Sequence, residues 1–365
     1  MYYPPGGMAP PVLNYQGLNA PPASFYGTVP GYEGTMPGTA GGFLPPPIPA
    51  VAPPQPRPDE PNWTIPLMSK DAAHAAFKEY VSGKCCYGSG PADEGVITNM
   101  EALNTYRYRL ETFTESRSTE WNHEPFNGQP IDAYMQPAPG PWAIPVQPPS
   151  VFQDSTQVVK VPYTSSVKDC HDCQGKGKTP CKNCSGAGNR VCSFCNGSGT
   201  SSGEERCNHC KSNGRVNCSD CKGEGVNLCD TCKGKRQLLV FINLKVQWTN
   251  NKSEFVEEQS SGLKMDKLSK VTGKELFKDT QYMVYPLMGF PDPAVNQAAD
   301  RLVKEHHTQF SQTARILQQR QTVELIPVTK VDYKWKEAFH SYLVYGNENK
   351  VNADDYPDTC CCTIM

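Results

Sequence analysis

Several familiar signals are scarce in this sequence. No window approaches the ~18 consecutive apolar residues of a spanning helix. Lys and Arg (35) nearly balance Asp and Glu (37), for a net charge of −2. No bulk field therefore draws the chain to nucleic acid or to an anionic membrane. The opening MYYPPGGMAPP lacks both the charged region and the apolar core of a secretory signal, so a protein that is not secreted is expected. No paired carboxylates, Ser/His/Asp arrangement or phosphate-cradling loop stands out, and the expectation is a protein that is not an enzyme. Charged residues (20%) and hydrophobic residues (38%) run low because Pro (34) and Gly (30) occupy so much of the 365-residue chain.

Cysteine is abundant instead. Seventeen cysteines without an export signal point to metal rather than disulfides, and to the reducing cytosol or the nucleus. Twelve fall in a repeat that begins CHDCQGKG (Cys170–Gly177). CKNCSGAG, CSFCNGSG, CNHCKSNG, CSDCKGEG and CDTCKGKR follow, starting at Cys181, Cys192, Cys207, Cys218 and Cys229. The unit is Cys-x-x-Cys-x-Gly-x-Gly, with Ser212 replacing one glycine and Arg236 another. A structural zinc takes four thiolates, and one Cys-x-x-Cys supplies two from a tight turn. The predicted ligands are Cys170, Cys173, Cys181, Cys184, Cys192, Cys195, Cys207, Cys210, Cys218, Cys221, Cys229 and Cys232, enough for three Zn²⁺.

The intervals between successive pairs are 7, 7, 11, 7 and 7 residues, a palindrome. A hairpin folded about residues 196–206 would set the third copy against the fourth, the second against the fifth and the first against the sixth. Sequential pairing would leave the module's ends far apart, so nesting is the expected scheme. Residues 168–236 carry twelve Lys/Arg against seven Asp/Glu, and twelve thiolates with three Zn²⁺ bring the module close to neutrality. With Phe194 as its one aromatic residue, it is not expected to bind nucleic acid. A thiol–disulfide exchange enzyme is the alternative chemistry, but such pairs usually open a helix, whereas these sit in glycine-rich turns.

Around the module the pattern is mixed. Residues 1–61 hold 17 prolines, nine glycines and five tyrosines with four charges, a composition that predicts a disordered tail. PPQPRP (Pro53–Pro58) fits a polyproline ligand. Residues 62–167 and 237–356 read as two parts of one α+β body of helices and antiparallel strands, with residues 168–236 inserted as an extended glycine-rich zinc hairpin. Ser69 should cap a helix bearing Ala73, Phe77 and Tyr80, ended by Gly83. Thr105–Glu115 alternates, with Tyr106, Tyr108 and Leu110 facing in and Arg107, Arg109 and Glu111 forming a wet face. Residues 122–150 read as a loop, and Gln157–Thr164 and Gln237–Trp248 as strands entering and leaving the module. Val295–Gln319 reads as a helix with His306 in its apolar stripe, and Thr322–Tyr333 with His340–Gly346 as a hairpin. Cys85 and Cys86 read as packing residues or exposed thiols. Residues 357–365 end in Cys362-Thr-Ile-Met, a Cys-a-a-X box that predicts prenylation of Cys362, with Cys360 and Cys361 open to palmitoylation as the second membrane signal.

The repeat resembles the cysteine-rich region of the J-protein (DnaJ) chaperones, which carries four copies and two zincs in a nested hairpin. That resemblance implies binding of non-native polypeptides and communication with Hsp70. The His-Pro-Asp tripeptide of a J domain occurs nowhere in the chain, so direct stimulation of Hsp70 is not implied. YRYRLETFTESRS (Tyr106–Ser118), VPYTSSVKDCHDC (Val161–Cys173) and ARILQQRQTVELIPV (Ala314–Val328), with the cysteine-rich end, resemble the SSUH (Ssu-two homologue) family of animal proteins. The expected function is thus a zinc protein that binds non-native polypeptides or one specific partner. The alternatives are a membrane-tethered interaction adaptor and a thiol–disulfide exchange enzyme.

Overall fold

A computed structural model describes residues 25–36, 41–46, 67–103, 105–133, 135–200, 205–257 and 263–359. In chain order the elements are β1 (Gly41–Gly42), α1 (Lys70–Ser82), α2 (Gly90–Glu94), β2 (Val96–Ala102), β3 (Thr105–Pro125), β4 (Ser155–Lys160) and β5 (Ser166–Asp169). Four short strands follow, β6 (Lys178–Pro180), β7 (Asn189–Val191), β8 (Arg215–Asn217) and β9 (Val226–Leu228). The rest are β10 (Gln237–Val256), α3 (Met265–Leu268), β11 (Lys274–Gln281), α4 (Pro293–Phe310), β12 (Arg315–Ile326), β13 (Val328–Trp335), β14 (Ala338–Tyr345) and β15 (Lys350–Asn352). Helices and antiparallel strands are both present, and sheet predominates. The chain divides into a cysteine unit (Met1–Phe43, Arg117–Val146, Thr156–Val246) and a helical unit (Leu44–Ser116, Gln147–Ser155, Gln247–Met365). The long strands β3 and β10 contribute one half to each.

In the helical unit, α1 starts where Ser69 Oγ accepts the Ala72 N–H (3.2 Å) and stops at Gly83, as its caps predict. Its buried face, Ala73, Ala76, Phe77 and Val81, packs on Val331, Tyr333, Tyr342 and Val344 of the sheet β15-β14-β13-β2. Phe77 stacks on Tyr342 with ring centroids 4.0 Å apart. Helix α4 is capped by Asp292, whose carboxylate accepts from Ala294 and Val295. It buries Val295, Ala299 and Leu302 against Tyr108 and Leu110 of β3 and Val323 of β12.

Three expectations for this unit are corrected. Helix α4 ends at Phe310 rather than Gln319, because Arg315–Ile326 is drawn into an antiparallel ladder with β3 that starts at Arg315↔Glu115. The hairpin is Val328–Trp335 with Ala338–Tyr345, since Pro327 separates β12 from β13 and offers no N–H to a ladder. Lys336 and Glu337 make its two-residue turn with φ of 46° and 63°, as a type I′ turn requires. The face read as wet is largely buried: Arg107 is 2% exposed and Glu111 5%. Arg107 meets its cross-strand partner Glu324 and donates to the Leu268 carbonyl, and Glu111 accepts from Arg320 and Asn250. Alternation thus gave the strand correctly but not the burial. His306, 3% exposed, lies between Thr112 Oγ1 (2.7 Å) and Ser253 Oγ (2.8 Å) as a core residue.

In the cysteine unit, β10 lies beside β4 and β3, and Gln237–Val240 pairs with Ser166–Asp169 of β5. The strands entering and leaving the cysteine region therefore meet. Strand β3 continues to Pro125, past the expected start of the loop. The loop beyond is fastened by Arg117, whose guanidinium donates to the carbonyls of Pro141 and Ile144. Within the predicted tail, Phe25–Met36 and Gly41–Pro46 are packed chain. Tyr26 and Tyr32 are 5% and 2% exposed, Tyr26 stacks on Trp121, and β1 pairs with β3 at Gly41↔Thr119. A few aromatic rings on a sheet offset the ordering entropy that average composition suggests is prohibitive. Pro53–Pro58 lies outside the described residues.

Candidate metal centres

The twelve predicted ligands converge into three groups of four. Cys170, Cys173, Cys229 and Cys232 form the outer group, Cys181, Cys184, Cys218 and Cys221 the middle, and Cys192, Cys195, Cys207 and Cys210 the inner. This is the nested scheme that the spacing predicts. Ladders β6–β9 and β7–β8, each three residue pairs long, lie between successive groups in the chain and hold them in register.

Each copy turns in the same way. The residue after the second cysteine takes positive φ in all six, from 48° at Asn196 to 52° at Lys211 and Lys222. The next residue and the last of the repeat do so too, which is why glycine recurs there. Ser212 (φ 68°) and Arg236 (φ 74°) adopt the same conformation with side chains, a strain of about 1–2 kcal/mol each. Partner copies then exchange backbone bonds. Cys181 N–H donates to Gly225 O and Cys218 N–H to Gly188 O, both at 2.9 Å. Cys170 donates to Arg236 O in the same way (2.8 Å), so Arg236 serves through its backbone. Gly188, Gly199, Gly214 and Gly225 have a further reason to be glycine: a Cβ on any of them would collide with a carbonyl of the partner copy.

The sulfurs fit a thiophilic cation. Across the module Sγ–Sγ distances are 3.7 Å for Cys170–Cys229, 3.8 Å for Cys181–Cys218 and 3.9 Å for Cys192–Cys207. The edge of a tetrahedron with Zn–S bonds of ~2.3 Å is about 3.8 Å, while a disulfide needs about 2.05 Å. All twelve cysteines are buried. Backbone N–H groups of Gly177, Gly188, Gly199 and Gly225 point at Cys173, Cys184, Cys195 and Cys221 sulfurs from 3.2–3.3 Å, as they do to thiolates. Burial pushes the Cys170 thiol up to about 12, whereas the Cys184 N–H holds Cys181 down to about 7. Four thiolates cannot share such a space without a cation, and binding one displaces their protons. The three groups could therefore each hold a metal ion such as zinc.

Sequence reading missed what abuts the outer group. His171, between Cys170 and Cys173, packs edge-on against Phe25 (5.1 Å) and His123 (5.5 Å), and Tyr26 OH lies 3.2 Å from His123 Nδ1. The only signal was two adjacent aromatics in a Pro/Gly-rich stretch. Cys360, Cys361 and Cys362, the expected lipidation sites, lie outside the described residues. No described helix is long and apolar enough to cross a membrane.

Relatives extend along most of the chain. A Danio rerio protein named SSUH2 homolog is 64% identical over 359 residues, covering 98% of this chain and 99% of the relative. The Homo sapiens SSUH2 homolog is 44% identical over 348 residues, covering 94% and 93%. The Mus musculus SSUH2 homolog is 42% identical over 309 residues, covering 82% and 90%. No protein-family model and no solved structure matches the chain.

Proposed function

The chain belongs to the SSUH2 homolog family, and we propose that it works as a non-catalytic zinc protein that binds non-native polypeptides in the manner of a co-chaperone. On this reading residues 168–236 are an extended glycine-rich hairpin, kept rigid by three zinc ions where the described residues show sulfur-centred clusters in place of an apolar core. The observation that carries the reading is exposed apolar surface on that otherwise polar module. Val191 is 55% exposed, Leu228 64% and Phe194 77%. Val191 and Leu228 lie in two-stranded ladders, so among the described residues each of these strands has an edge with no strand beside it. An extended polypeptide can meet such an edge with its backbone and the neighbouring apolar groups with its side chains. Sulfurs at metal spacing, all buried, favour a structural role for the cysteines over thiol–disulfide exchange.

The test is suppression of light scattering by a chemically denatured client, using the zinc-loaded full chain and a Phe194→Ser/Leu228→Ser variant that keeps all twelve ligands. Suppression that weakens at least severalfold in the variant is the expected result. No suppression by a chain carrying its full zinc complement would discard the reading and leave an adaptor for one folded partner.

A further inference from the structure

Among the described residues, Cys85 and Cys86 are the cysteines that stand outside the three groups. The twelve grouped cysteines are buried, whereas Cys85 is exposed and Cys86 half-buried. Chemistry with a dissolved thiol reagent is therefore open to this pair and closed to the twelve. Local geometry also makes the two thiols a unit. Consecutive side chains on a strand point to opposite faces, but these two occupy the turn Lys84–Tyr87, which Tyr87 N–H closes on the Lys84 carbonyl (3.4 Å). Their sulfurs lie 3.5 Å apart, so a disulfide bond of about 2.05 Å needs a closure of about 1.5 Å. The backbone must yield for this to happen. Neighbouring Cα atoms are about 3.8 Å apart across a trans peptide, short of the roughly 4.4–6.8 Å that disulfides ordinarily span. An exposed disulfide strained in this way is readily reduced again, which suits a reversible modification better than a structural staple.

The residues that follow the turn are tightly held. Tyr87 forms an antiparallel bridge with Thr359, and Gly88 N–H donates to Asp358 O at 2.8 Å. The Tyr87 ring stacks on Tyr356 with centroids 4.4 Å apart and planes 3° from parallel, and meets Tyr80 of α1 edge-on at 6.0 Å. A Cβ on Gly88 would collide with the Asp358 carboxylate, so the two segments are in close contact. A shift of the turn is passed directly to this clasp.

We propose that Cys85 and Cys86 form a reversible oxidation site for low-molecular-weight disulfides of the glutathione class, and that closing it loosens the clasp between Tyr87 and Thr359. The Cys85 thiolate attacks one sulfur of the reagent RSSR, forming a mixed disulfide and releasing one RS⁻. The Cys86 thiolate then attacks the Cys85 sulfur, forming the Cys85–Cys86 bond and releasing the second RS⁻. The two protons shed by the cysteines end on the two released thiols, and the two electrons lost by the pair have reduced the reagent. An excess of RSH runs both steps backward. This site does not depend on the polypeptide-binding reading.

The test equilibrates the zinc-loaded full chain with glutathione disulfide, quenches it with iodoacetamide in denaturant and digests it with trypsin. Cleavage after Lys84 and Arg107 releases Cys85–Arg107, whose only cysteines are this pair. That peptide should appear unlabelled and two hydrogens lighter, and excess glutathione should restore it. In Cys85→Ser or Cys86→Ser the remaining thiol should stop at the glutathione adduct. Hydrogen exchange reads the consequence in the unaltered chain: the Gly88 amide should exchange severalfold faster after oxidation, and should not change in Cys85→Ser/Cys86→Ser treated alike. Two glutathiones on the peptide, full labelling at every ratio of glutathione disulfide to glutathione, or a disulfide from either residue to another cysteine would overturn the oxidation site. A Cys85–Cys86 bond that leaves Gly88 exchange unchanged would overturn the clasp.

Discussion

Between Cys170 and Cys232 the buried side chains are mostly sulfur, whereas in the cluster under α1 they are Ala, Phe, Val and Tyr. Among the described residues the middle cysteine group has no partly buried hydrophobic residue packed against it, and the inner group has Val216 alone. The cluster under α1 has eleven buried members and seven more packed on it. The difference shows two ways to offset chain entropy. A core accumulates many small apolar contacts and tolerates imprecise alternation in sequence. A tetrathiolate concentrates its free energy at one point, so it requires repeated spacing and repeated backbone angles. Glycine at Gly188 or Gly225 is therefore as necessary to the module as Phe77 is to the core.

The sharpest way to break the comparison is to remove metal. Chelation should unfold the cysteine region, since structural zinc contributes about 10–16 kcal/mol per ion in zinc-finger peptides, and leave the helical unit folded. Hydrogen exchange should report lost protection at β6–β9 together with unchanged protection at β12 and β13. The converse perturbation is Phe77→Ala, which empties a position 2% exposed. It should cost about 3–5 kcal/mol in the helical unit, read by urea unfolding, with the zinc count unaltered.

Backbone angle gives a finer test. Gly188→Ala places a Cβ at φ 73° against the Gly223 carbonyl and should cost the module about 1–3 kcal/mol. Ser212→Gly should act in the opposite sense, because it relieves a side chain at φ 68°, stabilising the module by about 1 kcal/mol. Competition for zinc against a chromophoric chelator would rank the three chains.

The smallest effect separates the units by pH. Burial lowers the pKa of His306 from 6.5, against a weaker upward pull from Glu305. The folded chain therefore holds the imidazole neutral between Thr112 and Ser253 while the unfolded chain protonates more readily. This contribution is complete above about 6.5 and is lost as pH falls from there toward the depressed folded value. Exchange protection of α4 should show that slope, and His306→Gln should flatten it.

Much of the candidate site was legible because a metal centre imposes a strict grammar. Six Cys-x-x-Cys pairs name the ligands, and the palindromic spacing indicates which pairs meet. The helical unit was legible element by element where caps are explicit, as at Ser69 and Gly83. It was misread where one residue type suits two structures. Ile316 extends an amphipathic helix as well as a strand, and the ladder with Glu115 decides for the strand. Arg107 and Glu111 look solvated in a list of charges, and their burial depends on elements distant in sequence.

By itself, then, the sequence determined which cysteines gather in nested groups of four that could hold a metal and the positions where glycine must turn the chain, because these follow from local spacing and local backbone geometry. Tertiary structure alone decided that Tyr26 stacks on Trp121 of β3, that β12 begins at Arg315, and that Tyr87 and Thr359 share one bridge. Each of these joins residues far apart in the chain. Long-range pairing is settled by the free energy of burying a surface or closing a ladder, and that surface exists only once the rest of the chain has folded.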